Sequence, residues 1–91
     1  MAVKRARIII KGKVQGVYFR EYAKQSANKL GIVGYAKNVQ NHLEIIAQGE
    51  ERKLEEFIKL CRKGPIFANV ETVDIGYEAT EDDEYEYFDV R

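Results

Sequence analysis

Apolar and polar positions change their period several times along the chain, and each change marks an element. Arg5 to Lys11 alternates, with Ala6, Ile8 and Ile10 on one face and Arg7, Ile9 and Lys11 on the other, which predicts a strand. Lys13 to Arg20 follows as a loop, with Gly16 among small and polar neighbours. From Glu21 to Leu30 the period turns helical. Tyr22, Ala23, Ser26, Ala27 and Leu30 share one stripe, and Gly31 supplies a left-handed stop. Ile32 to Asn38 predicts a second strand and Leu43 to Gln48 a third, with Asn41-His42 at the hairpin between them. Glu50 to Arg62 is a second helix, apolar at Leu54, Phe57, Ile58 and Cys61. Its acids Glu50 and Glu51 and its bases Arg62 and Lys63 suit the two ends of the helix dipole, and Gly64-Pro65 stops it. Asn69 to Tyr77 alternates through Val70, then Thr72 or Val73, then Ile75, as a fourth strand. Glu81-Asp82-Asp83 reads as a turn, and Tyr85 to Val90 as a short last strand.

The order is β-α-β-β-α-β plus a terminal strand. Two helices of this length cover one face of a mainly antiparallel sheet, so the expected class is α+β, a ferredoxin-like α/β sandwich. No repeat, low-complexity stretch or linker divides the 91 residues, which read as a single domain over 1–91. An apolar fraction of 45% with ten aromatics, six Tyr and four Phe, suffices for one core and excludes a disordered chain. No uncharged apolar stretch approaches the roughly eighteen residues of a membrane span, and charges at Lys4 and Arg5 interrupt any secretory core. The chain is therefore expected to be cytoplasmic, monomeric and without a membrane partner. Cys61 is the single cysteine and His42 the single histidine, so neither a disulfide nor a Cys/His metal cage is expected. The formal net charge of +0 hides a segregation. Nine bases and one acid, Glu21, lie between Met1 and Lys37, whereas nine acids and no base lie between Glu71 and Val90. Either the basic block attracts an anion or the two blocks neutralise each other in the fold.

Chemistry narrows to one loop. Gly12 and Gly16 are too close for a Walker loop, and Val17 stands where its lysine belongs. Cys61 sits on an apolar helix face, which suits packing rather than nucleophilic attack. His42 lies at the expected hairpin tip, where turn duty is commoner than base catalysis. In Gly12-Lys13-Val14-Gln15-Gly16-Val17-Tyr18-Phe19-Arg20 the last amides meet a helix N-terminus, where outward N–H groups and the dipole favour an anion. Gly16 lets the backbone curl so that N–H groups converge, and Arg20 adds a planar fork for two phosphate oxygens. On the residues alone, this is either a phosphate cradle or an ordinary strand-to-helix turn. As a cradle it has valine where Cys-x-x-x-x-x-Arg phosphatases have their nucleophile, so water would have to attack.

The stretch Gly-Lys-Val-Gln-Gly-Val-Tyr-Phe-Arg resembles the acylphosphatase signature, usually Gly-x-Val-Gln-Gly-Val-x-Phe-Arg. A second signature of that family is matched by Gly34-Tyr35-Ala36-Lys37-Asn38, and the similarity runs from Arg5 to Val90. The resemblance implies the same ferredoxin-like fold and hydrolysis of the carboxyl–phosphate anhydride of a small acyl phosphate, yielding a carboxylate and inorganic phosphate. It implies that the amides of Gln15, Gly16, Val17, Tyr18 and Phe19 cradle the phosphoryl group, that Arg20 binds it, and that Asn38 positions water. No metal, no other cofactor and no nucleic-acid partner are implied, and phosphate or sulfate is expected as product or inhibitor. Two positions depart from the pattern: Tyr18 stands where many members have glycine, and Val39 to His42 is one residue shorter than the usual hairpin. The alternatives are a non-catalytic phosphate- or RNA-binding module on the same fold, the latter drawing on Tyr35 and the basic block, and a relative that holds phosphate without turnover.

Overall fold

Alternation along β1 (Val3–Lys13) puts Ala6, Ile8 and Ile10 fully inside and leaves Arg5, Arg7 and Ile9 on the opposite face. The computed structural model describes residues 3–80 and 84–91, and Ala79 by its backbone only. The predicted turn at Glu81-Asp82-Asp83 lies outside the described residues. After β1 come α1 (Phe19–Leu30), β2 (Val33–Val39), β3 (His42–Glu50), α2 (Glu51–Lys63), β4 (Asn69–Ala79) and β5 (Phe88–Val90). The sheet order is β4-β1-β3-β2-β5, antiparallel throughout except for the parallel β2–β5 edge. Both helices pack on one face, as expected for a ferredoxin-like sandwich. No helix among the described residues is long and apolar enough to cross a membrane.

The core is the meeting of three apolar stripes. α2 contributes Leu54, Phe57, Ile58 and Cys61, and α1 contributes Phe19, Ala23 and Ala27 with buried Ser26. Leu43, Ile45 and Ala47 of β3 join Ala6, Ile8 and Ile10 beneath them, and Phe88 of β5 packs its ring 5.8 Å from Phe57. Truncating a fully buried ring such as Phe57 costs about 3–5 kcal/mol. Burial pushes the Cys61 thiol far up, so it stays protonated and inert, a packing residue.

Several boundaries differ from the sequence expectation, each for a local reason. The fourth strand has apolar residues three apart, Val70 and Val73, and both face the core. Lys11 pairs with Thr72 but Gly12 with Val70, so Glu71 is an extra residue, a β-bulge that resets the alternation. The hairpin tip is Gln40-Asn41 rather than Asn41-His42, and His42 is the first residue of β3, opposite Val39. Gln40 takes φ 54, the positive value that a two-residue loop demands at its first position. The last strand is Phe88–Val90, shorter than Tyr85 to Val90. The first helix begins at Phe19, so Arg20 lies in its opening turn rather than at the end of the loop.

The segregated charges meet in space. β4 lies beside β1, and Arg5 reaches Glu78 at 3.3 Å and Glu84 at 2.8 Å while its Nε donates to Gln48 Oε1 at 3.1 Å. Lys4 reaches Glu51 at 2.8 Å, and Arg7 stands 3.7 Å from Glu44. Among the described residues the pairing covers the bases at the start of β1, and of these only Arg5 meets the acidic block near the end of the chain.

Candidate active site

The sheet directions bring four features to one end of the molecule: the end of β1, the start of α1, the end of β2 and the end of β5. Residues 14–18 connect β1 to α1 by an inside-outside rhythm. Val14 and Val17 are buried and anchor the loop, while Gln15, Gly16 and Tyr18 are exposed. Gly16 takes φ 72 with open space where a Cβ would stand, so backbone conformation and not crowding calls for glycine there. Tyr18, the N-cap of α1, is also left-handed, at φ 62 and ψ 26, and its side chain makes no cap. For a residue with a Cβ this conformation costs roughly 1–2 kcal/mol.

The first backbone bond of α1 runs from Tyr22 N–H to Tyr18 C=O at 3.0 Å. The amides of Phe19, Arg20 and Glu21 precede it and have no acceptor within the helix, which leaves the positive end of the dipole at the loop. A cleft of about 290 Å³ opens there, lined by Val14, Gly16, Tyr18, Phe19, Arg20, Glu21, Asn38 and Val90. Of the sequence-predicted residues, the structure brings Gly16, Tyr18, Phe19, Arg20 and Asn38 together around this space. Gln15 and Val17 are not on its wall.

Gln15 has a different task. Its Nε2 donates to the carbonyls of Gln40 at 2.8 Å and His42 at 3.1 Å, clasping the loop to the hairpin just beyond Asn38. Val17 is an anchor in the core. Arg20 is half-buried, and its Nη1 donates to the main-chain oxygen of Arg91 at 2.8 Å. That bond fixes the guanidinium, and no Asp or Glu side chain is paired with Arg20 among the described residues. Asn38 is exposed near the end of β2, opposite Leu43, and among the described residues its side chain is not engaged in capping the hairpin.

Sequence reasoning missed Val90 and Arg91 as parts of this end, and Glu21 as part of the cleft wall. Nothing in the motif points to Val90 or Arg91. They arrive through the parallel pairing of β5 with β2, where Gly34 faces Phe88 and Ala36 faces Val90, and Arg91 N–H extends the ladder to Ala36 C=O at 2.8 Å. Glu21 was legible only as an acid in the first turn of a helix. Tyr35, the aromatic that an RNA-binding sheet would need free, is half-buried and donates to Glu44 Oε1 at 3.1 Å. The Arg91 guanidinium covers its ring at 4.2 Å. Among the described residues no group of three His, Cys, Asp or Glu converges as a metal site.

Comparison with known proteins points to one family. The sequence model of the Acylphosphatase family matches residues 6–90. An acylphosphatase of Dehalococcoides mccartyi is 49% identical over 74 residues, spanning 79% of this chain and 81% of that one. The crystal structure of acylphosphatase from Bacillus subtilis superposes with a TM-score of 0.92 at 29% identity, covering 97% of this chain and 98% of that one. An acylphosphatase structure from Coxiella burnetii gives 0.91 at 32% identity, covering 99% and 94%.

Proposed function

The chain belongs to the acylphosphatase family, an enzyme hydrolysing acyl phosphates, and from that premise we propose how its cleft performs the reaction. The phosphoryl group binds at the N-terminus of α1, held by the main-chain amides of the loop residues on the cleft wall, Gly16, Tyr18 and Phe19, and by the Arg20 guanidinium. The Asn38 amide holds a water in line with the bond to be broken. The water oxygen attacks phosphorus, the anhydride P–O bond breaks, and the carboxylate departs with the bonding pair. The water proton passes to a phosphoryl oxygen, because an amide is a poor base near neutral pH.

The leaving carboxylate is already stable, so protonating it gains little. What the protein supplies is alignment of water and stabilisation of charge as it redistributes over the phosphoryl oxygens. A preorganised donor of this kind is worth about 3–4 kcal/mol when removed. Neither a metal nor a covalent intermediate is needed. The observation that carries this reading is the convergence of Arg20 and Asn38, from two different elements, on one cleft beside the unpaired amides of α1. The engagement of Tyr35 by Glu44 and Arg91 weighs against the RNA-binding alternative.

Hydrolysis of benzoyl phosphate in ¹⁸O-water tests the proposal. Label should enter phosphate and not benzoate, and the rate should be the same with and without a chelator. Label in benzoate would mean attack at carbon and would overturn the role given to Asn38.

A further inference from the structure

We propose that Glu21 and Tyr18 select the charge of the acyl group, favouring acyl phosphates whose acyl portion carries an ammonium and disfavouring those that carry a second anion. This rests on the reading of the cleft as an acyl phosphate site.

Glu21 lines the cleft immediately after Arg20, exposed, and has no ion-pair partner among the described residues. A carboxylate cannot ligate a phosphoryl oxygen, and its charge opposes the anion that Arg20 and the helix amides attract. The free Glu21 amide puts the residue at the anion site and the helix dipole tolerates an acid in the first turn, but neither calls for a carboxylate beside a bound anion. Tyr18 adds an independent observation. Its side chain is 78% exposed and lines the same cleft, although its backbone is left-handed and its hydroxyl caps nothing. Packing therefore does not offset the strain of placing a tyrosine there.

With the phosphoryl group fixed at the loop and Arg20, the acyl group extends along the remaining wall, to which Tyr18 and Glu21 belong. An aromatic face beside a carboxylate is the chemistry that receives an ammonium. A carboxylate or phosphate on the acyl group would meet like charge instead. The protein's formal net charge is +0, so the chain as a whole does not favour one sign of substrate.

The test uses three substrates of one shape: benzoyl phosphate with hydrogen, carboxylate or trimethylammonium at the para position. kcat/KM is measured for the wild type and for Glu21→Gln, and the ratio of ratios cancels the intrinsic reactivity of each compound. Glu21→Gln should narrow the gap between the cationic and anionic substrates by roughly three- to tenfold. The wild-type gap should shrink as salt is raised, as charge selection requires and a merely structural Glu21 would not. Glu56→Gln removes the same charge from the outer face of α2 and should leave the gap as it is. Tyr18→Gly should lower the rate for the trimethylammonium substrate more than for the other two. Hydrolysis of all three with an identical gap in wild type and Glu21→Gln overturns this inference alone. Hydrolysis of none of them removes the proposed function and this inference together.

Discussion

Two arginines on one small sheet live in opposite electrostatic settings. Arg5, on the open face, has its side chain only 16% exposed and is matched by Glu78, Glu84 and the Gln48 amide oxygen. Arg20, at the loop end, is held by the main-chain oxygen of Arg91 and has no carboxylate side chain paired with it among the described residues. The first guanidinium is held by acidic side chains from neighbouring elements, the second by a single main-chain oxygen beside the loop. The same contrast separates the regions around them. Tyr35 on the open face is occupied by Glu44 and Arg91, whereas Asn38 and Tyr18 at the loop end are exposed and belong to the cleft wall. On the open face side chains hold one another across elements, whereas at the loop end Gln15 and Arg20 are held by main-chain oxygens.

The contrast is broken most severely by exchanging the fates of the two arginines. Arg20→Ala should lower kcat/KM for an acyl phosphate by about a thousandfold and abolish phosphate inhibition, with the melting temperature little changed. Arg20→Lys should rescue poorly, because a point charge does not replace a fork. Next in size, Asn38→Ala should lower kcat by about a hundredfold while the inhibition constant of phosphate stays put, since a group engaged mainly in the transition state shows its loss in turnover. An Asn38→Ala protein that melts lower yet keeps full kcat would return Asn38 to a purely structural role. Gln15→Ala removes the clasp to Gln40 and His42 and should cost about tenfold in kcat/KM, raising KM and the phosphate inhibition constant together as the loop loosens.

The open face should behave conversely. Arg5→Ala should cost about 1–2 kcal/mol through lost ion pairs and lost packing of the side-chain stem, since Glu78 and Glu84 remain largely in water. Calorimetry should record a melting point lower by roughly 4–8 °C per kcal/mol, with kcat unaltered. The smallest effect is alkaline. Burial, and then the hydrogen bond to Glu44, raise the Tyr35 pKa above 10, and burial likewise raises that of Tyr22. The folded state therefore holds these protons more tightly than the unfolded one. Their contribution is complete below pH 10 and declines as pH rises through the folded-state values. Tyr35→Phe should flatten that part of the stability–pH curve without touching turnover.

Much of both regions was legible along the chain because the signals are local. Helix and strand periods identified the buried stripes of α2 and β1 and the middle of that of α1, Ala23, Ser26 and Ala27, since a side chain's face follows from its position in the repeat. The loop from Gly12 to Arg20 also announced itself, because Gly16 and the helix start that follows act on their immediate neighbours. Non-local geometry was not legible. The bulge at Glu71 depends on which partner β4 finds, and the true hairpin tip on how β2 and β3 come into register.

The amino-acid sequence by itself determined that a curled loop with an arginine would open onto the N-terminus of a helix, and that an asparagine would stand near the end of the strand after it. Only the tertiary structure decided that the asparagine would line the same cleft as that arginine and that the end of β5 would deliver the Arg91 oxygen to hold it. It also decided that Gln15 would tie the loop to the hairpin instead of lining the site, and that Glu21 would stand on the cleft wall. The physical reason is one of range. Periodicity, capping and backbone conformation act within a few residues, whereas the meeting of β2, β5 and α1 is fixed by burying Ala36, Phe88, Phe19 and Phe57 in one core, which no short segment can do alone.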